Sequence, residues 1–139
     1  MKKLFLLAGA FVLSISLQGQ MQTPAPSPFS KIEQKVGLTD GTVEYSRPSM
    51  KGRTIFGGLV PYDNLWRTGA NARTKITFSD DIKFGGTDVK AGSYGLLTIP
   101  GMSSWDVILY EEANGGGTPA EWDDAKVAAK VSAQVSALP

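Results

Sequence analysis

Hydrophobic and polar positions alternate with a period of two along most of the chain, the pattern of half-buried β-strands rather than helices. Thr42 to Ser46 places Val43 and Tyr45 on one face and Thr42 and Glu44 on the other. Thr74 to Ser79 directs Ile76 and Phe78 inward, and Ile82 and Phe84 alternate into Gly85-Gly86. Ser93 to Ile99 and Trp105 to Tyr110 are apolar on both faces, as expected of central strands covered from two sides. Turn residues fall between these runs. Asp40-Gly41 predicts a hairpin joining 34–38 to 42–46. Arg47-Pro48 ends it, because proline has no N–H for the ladder, and Lys90-Ala91-Gly92 and Pro100-Gly101 reverse the chain again. Short strands at this spacing predict a mainly β fold, an antiparallel β-sandwich or a jelly-roll-like arrangement.

Three stretches depart from the alternation. Ser49 to Asn71 has no sustained period and is punctuated by Gly52, Gly57, Gly58 and Pro61. A long irregular segment inside a compact domain is usually functional, and it reads as an ordered loop crossing over one end of a sheet. Thr118-Pro119-Ala120-Glu121 carries a hydroxyl cap, proline at the first position and glutamate at the third, which predicts one short helical turn or two through about Asp124. From Lys126 onward, Val127, Val131 and Val135 fit one helix face, while the same valines with Ala129 and Ala133 alternate as a strand. The reading taken is strand over 126–133.

The N-terminus has a different pattern. Met1-Lys2-Lys3 precedes an apolar run from Leu4 to Leu17, followed by small and polar residues with Gly19-Gln20 as the cleavage point. That is the layout of a secretory signal peptide over 1–20. The run is about 14 residues, short of the roughly 20 that span a bilayer, and no second run of that length follows. The expectation is an exported chain, periplasmic or extracellular, with no transmembrane segment after the leader is removed. Prolines at alternate positions from Pro24 make 21–29 an extended spacer, leaving 30–139 as a single domain.

Composition narrows the chemistry. The 139 residues include no histidine and no cysteine, which excludes Ser-His-Asp and Cys-His nucleophilic sites and His-ligated zinc. Fourteen basic and 13 acidic residues nearly balance, and losing Lys2 and Lys3 with the leader tips the remainder slightly acidic. A nucleic-acid partner, which needs a basic face, is not expected. Gly52 to Gly58 lacks the Gly-Lys-Ser/Thr ending of a phosphate loop. No cofactor, metal or catalytic residue is expected. The pairs Asp80-Asp81, Glu111-Glu112 and Asp123-Asp124 make no dyad by themselves, because adjacent strand residues point to opposite faces. A carboxylate-based hydrolase needs acids from different segments facing each other across about 5–10 Å.

Recognition-capable side chains concentrate in one place. Trp66-Arg67-Thr68-Gly69-Ala70-Asn71 offers a flat apolar ring, a planar guanidinium fork and a donor–acceptor amide, and Arg47 and Arg53 precede it in the same irregular segment. Arg47, Arg53, Trp66, Arg67 and Asn71 are the candidate ligand-binding residues, suited to a glycan or a peptide carboxylate. The competing account is a core tryptophan with an arginine that satisfies loop carbonyls. A non-catalytic ligand-binding or envelope-associated module is the leading function class. A carboxylate-based hydrolase and a structural or assembly protein of the cell envelope are the alternatives.

The runs SPFSKIEQKVG, VEYSRPSMKGRTIFGGLVPY, LWRTGAN, KAGSYGLLTIPG, WDVILY and TPAEWDD together resemble the family called domain of unknown function 2911, over residues 28–133. The resemblance implies export and a β-rich fold, and supplies no catalytic residues. It also implies further strand sequence beyond this point, hence a truncated or divergent C-terminus over 134–139 and an exposed sheet edge.

Overall fold

Alternation becomes strand wherever the sequence carries it. A computed structural model of the chain describes residues 23–137, and the expected leader over 1–20 lies outside them. The strands are β1 (Phe29–Val36), β2 (Thr39–Ser46), β3 (Ala70–Phe78), β4 (Ile82–Phe84), β5 (Thr87–Val89), β6 (Gly92–Pro100), β7 (Ser104–Tyr110) and β8 (Val127–Gln134). Six form one antiparallel sheet in the order β1-β2-β3-β6-β7-β8, and β4 and β5 pair separately. The main sheet is a meander interrupted by one inserted hairpin. Among the described residues no helix is long and apolar enough to cross a membrane.

The two sheets pack in layers. Val89 from the β4–β5 hairpin is buried with Tyr94, Leu109 and Ala129, and Ile76, Phe78, Ile82, Phe84 and Leu96 surround them. On the opposite face Leu97, Ile108 and Tyr110 are buried, with Leu65, Ile99 and Val127 packed against them. Strands β6 and β7 therefore carry core on both faces, which is why their sequences are apolar at nearly every position. The fold is mainly β and antiparallel, with layering consistent with a β-sandwich.

Three local expectations need correction. The first hairpin turns at Gly37-Leu38, not at Asp40-Gly41, because Val36 pairs with Thr39 and Asp40 and Gly41 lie inside β2. Gly37 has φ 63°, the left-handed geometry that a two-residue turn of this kind requires at its first central position. The segment between β2 and β3 is not a crossover. It leaves at Ser46 and returns at Ala70, and those two residues pair, so it is a closed excursion between neighbouring strands. The short helix is a 3-10 turn at Asp124–Lys126 capped by Asp123, whose side chain accepts from Ala125 N–H. Thr118 and Pro119 stay in an irregular loop. The backbone around them is held by Arg73, whose N–H donates to the Gly115 carbonyl and whose Nε donates to Gly117. Strand over 126–133 is observed as β8.

Candidate functional site

The 47–69 excursion is ordered by its own backbone bonds and a few docking points. Arg53 folds back on its turn, with Nε donating to the Met50 carbonyl and a terminal nitrogen to Ser49. Ile55 accepts from Val60 N–H, and Gly57 N–H donates to Val60. Gly58 sits so close to Thr54 that a Cβ there would lie 2.5 Å from the Thr54 carbonyl oxygen. The returning limb then docks on the sheet. Trp66 and Thr98 exchange backbone bonds of 2.7 and 2.9 Å, so Leu65 to Arg67 acts as a short strand beside β6 beyond the last β3 pairing at Thr74–Leu96. Strand geometry sends Trp66 to one face and Leu65 and Arg67 to the other.

Trp66 thereby joins an aromatic cluster. Phe56, Trp66 and Trp105 meet edge to face, with centroids 4.8 to 6.3 Å apart, a favoured geometry for ring quadrupoles. Immediately after, Thr68 takes φ 60°. A β-branched residue in the left-handed region is strained. It is held there by the Thr98 hydroxyl 3.1 Å away and by the Thr74 hydroxyl donating to its carbonyl.

Between the outgoing and returning limbs lies a groove of about 650 Å³. Met50, Ile55, Leu59, Val60, Leu65 and Trp66 give it apolar walls, and Arg53 and Arg67 are its charged groups. No carboxylate lines it. The Arg67 Nε is buried and has no hydrogen-bond partner. Beside it, Ser49, Lys51 and Arg53 bound a shallower hollow with Pro26 and Ser27. The charge distribution is uneven. Among the described residues, every lysine and arginine outside the excursion has a carboxylate within ion-pair distance. Arg47, Lys51, Arg53 and Arg67, all within it, have none.

A family model described as "Protein of unknown function (DUF2911)" matches residues 27–139. The chain belongs to the DUF2911 family. Neither the curated proteins nor the solved structures give a significant match to it. The family match spans the whole 47–69 excursion of this DUF2911 chain.

The five candidate residues divide between the groove and its surroundings. Arg53, Trp66 and Arg67 line it together. Arg47 is exposed at the end of β2, its backbone N–H donating to the Pro28 carbonyl. Asn71 is exposed with φ 57° and reaches the Ser27 carbonyl with its amide. Ile55 and Leu59 of the groove and Phe56 of the cluster are among the residues that sequence reasoning did not single out. Arg73 was also missed. Its side chain is only 3% exposed, and it ties β3 to the Glu112–Gly117 loop. In sequence it looks like an ordinary polar strand position, and nothing there reveals that Gly95 on the neighbouring strand leaves space for it.

In this DUF2911 chain the acidic pairs are spread over turns. Asp81 pairs with Lys90 and accepts from Ala91 N–H, Glu112 pairs with Lys126, and Asp124 accepts from the Trp122 indole. Among the described residues no three metal-ligating side chains converge. The hydrogen bond from Lys126, and then its charge, hold the Glu112 carboxyl below its ordinary value of 4.5, with Arg73 adding less. A carboxyl with a depressed folded pKa stabilises fully above its unfolded pKa, and that contribution is lost as pH falls through the folded value. Glu112→Gln is therefore expected to shallow the acid-side loss of stability. Urea midpoints followed from about pH 7 to about pH 3 would show it, with Asp81 supplying a remaining slope of the same sign. A parallel offset at every pH would contradict this.

Proposed function

We propose that the chain is an exported, non-catalytic module that binds an anionic ligand with an apolar body, a peptide carboxylate in preference to a neutral glycan, in the groove of the 47–69 excursion. One observation carries this reading: the cations that lack carboxylate partners gather in and around a groove that contains no acid. Elsewhere among the described residues Lys and Arg are already paired, so an incoming anion finds its unneutralised partners here. The Arg67 guanidinium favours a planar carboxylate, which accepts paired hydrogen bonds from it. The apolar walls favour a hydrophobic side chain next to that carboxylate. Export of the chain, periplasmic or extracellular, is part of the same proposal and rests on the character of residues 1–20.

Calorimetric titration at low salt with short peptides ending in Leu or Phe, and with the same peptides amidated, tests the reading. Free carboxylates should bind and amides should bind weakly. Arg67→Ala should reduce affinity about tenfold to a hundredfold, the range expected when charge-assisted bonds of about 1.5–3 kcal/mol are lost. Equal binding of acids and amides, or unchanged affinity in the variant, would remove the site. Neutral oligosaccharides serve as the comparison that would instead favour the glycan.

A further inference from the structure

The first strand of the sheet has an unused edge. β1 pairs only with β2, so its other side faces no strand among the described residues. Val36 and Thr39 close a two-residue turn, and Arg47 N–H donates to the Pro28 carbonyl. In an antiparallel ladder such bonds recur at every second residue. Ser30, Ile32, Gln34 and Val36 therefore spend their backbone groups on β2. Phe29, Lys31, Glu33 and Lys35 direct theirs outward. No proline or bulge interrupts β1 between these residues, and its apolar side chains are uncovered: Phe29 is 64%, Ile32 50% and Val36 71% exposed.

Edge strands are normally blunted by charge, lysine above all. Here the charges alternate so that the strand complements itself. We infer that β1 pairs antiparallel with β1 of a second copy about a two-fold axis at Ile32, joining the two main sheets into one. In that register Lys31 faces Glu33 of the other copy, Glu33 faces its Lys31, Phe29 faces Lys35, and Ile32 faces itself. The outward backbone groups of Phe29, Lys31, Glu33 and Lys35 all find partners. Opposite charges placed directly across an antiparallel pair stabilise it, and like charges oppose it. An axis at Glu33 would set Glu33 against Glu33 and Lys31 against Lys35. An axis at Lys31 would set Lys31 against itself. An axis at Gln34 matches Glu33 to Lys35 but leaves Phe29, Ser30 and Lys31 outside the ladder, which shortens it. Isologous pairing of this kind closes on itself, so the product is a dimer and not a fibre.

The absence of cysteine from the chain makes the register directly readable. The full-length chain would be expressed with single substitutions and weighed by light scattering during gel filtration. The unsubstituted protein should have the mass of a dimer. Ile32→Cys should form a disulfide-linked dimer under mild oxidation, because the two Cβ atoms would face each other at a non-hydrogen-bonded position. Ser30→Cys should not. Lys31→Glu should yield a monomer, and the double variant Lys31→Glu/Glu33→Lys should restore the dimer. Both residues are well exposed in the single chain, so the fold, read by circular dichroism, should persist even though Lys31→Glu sets a like charge across from Glu44. A monomer at every concentration overturns the inference. So does cross-linking through Gln34→Cys in place of Ile32→Cys, or a dimer that Lys31→Glu leaves intact.

Discussion

Arg73→Met is expected to lower the unfolding free energy by about 3–5 kcal/mol, the range for losing two hydrogen bonds that a buried charged group donates to backbone carbonyls. The arginine side chain is 3% exposed. Its Nε donates to the Gly117 carbonyl and a terminal nitrogen donates to Glu112, while its guanidinium carbon lies 5.8 Å from the centre of the Tyr110 ring. The backbone N–H of the same residue donates to Gly115. One residue thus anchors the Glu112–Gly117 part of the loop between β7 and β8 at several points. Methionine preserves much of the apolar stem but leaves two carbonyls without their charged donor. Bonds to a charged group are each worth about 1.5–3 kcal/mol, so the loss is not absorbed by packing. Arg73→Lys should fall between, since a single ammonium cannot reproduce the fork. Equilibrium denaturation in urea measures all three, and a change of under about 1 kcal/mol for Arg73→Met would show that the loop holds without it.

This arginine also marks where sequence reasoning stops. The period-two pattern placed most strands to within a few residues, because inward and outward positions are written directly into hydrophobicity. Residues 126–133 satisfied helix and strand patterns equally, and the valines decided for strand once β7 was available to pair with them. Side-chain packing across sheets is a different kind of information. A buried arginine requires a gap in the neighbouring strand, and Gly95 supplies it: a Cβ there would lie 2.5 Å from the Arg73 Cδ. Neither residue announces the other along the chain.

The first turn teaches a similar lesson about register. Asp40-Gly41 is the stronger local hairpin signal, yet Gly37-Leu38 is used. The observed register lets Lys35 pair with Asp40, and lets Asp40 N–H donate to the Ser79 hydroxyl while its carbonyl accepts from Ser79 N–H. Those bonds link β2 to the far end of β3, and they come from a residue distant in sequence. Tertiary partners therefore outweighed the local dipeptide preference.

The candidate site was legible as a location and less so as a geometry. The excursion's irregularity and its arginines drew attention to Arg47, Arg53, Trp66, Arg67 and Asn71, and three of these share the groove. Arg47 lies just past β2 and Asn71 at the start of β3, and neither lines the groove. What the sequence could not show is that the other described cations are paired, because most of those pairings join segments whose register was not yet fixed.

Leu97→Ala is expected to cost about 3 kcal/mol of stability, within the 2–5 kcal/mol typical of a buried leucine truncated to alanine. Leu97 is 0% exposed at the centre of β6, packed with Ile108 and Tyr110, and Leu65 lies against this group. For a domain of this size the total stability is only about 5–15 kcal/mol, so the variant should be visibly weakened. Leu65 also lines the groove, so the cavity left behind lets one wall relax, and peptide affinity should fall together with stability. Leu59→Ala should separate the two. Leu59 is 57% exposed on the groove wall, so its removal should change stability by less than about 0.5 kcal/mol. It should nonetheless weaken binding of a peptide with an apolar terminal residue, because that side chain loses a contacting surface worth about 25 cal/mol per Å². Urea denaturation and calorimetry on the same preparations give both quantities. If Leu59→Ala leaves affinity unchanged while Leu97→Ala lowers it, the ligand rests on the sheet side of the excursion and not on its outer limb. If neither changes affinity, the groove is not where the peptide binds.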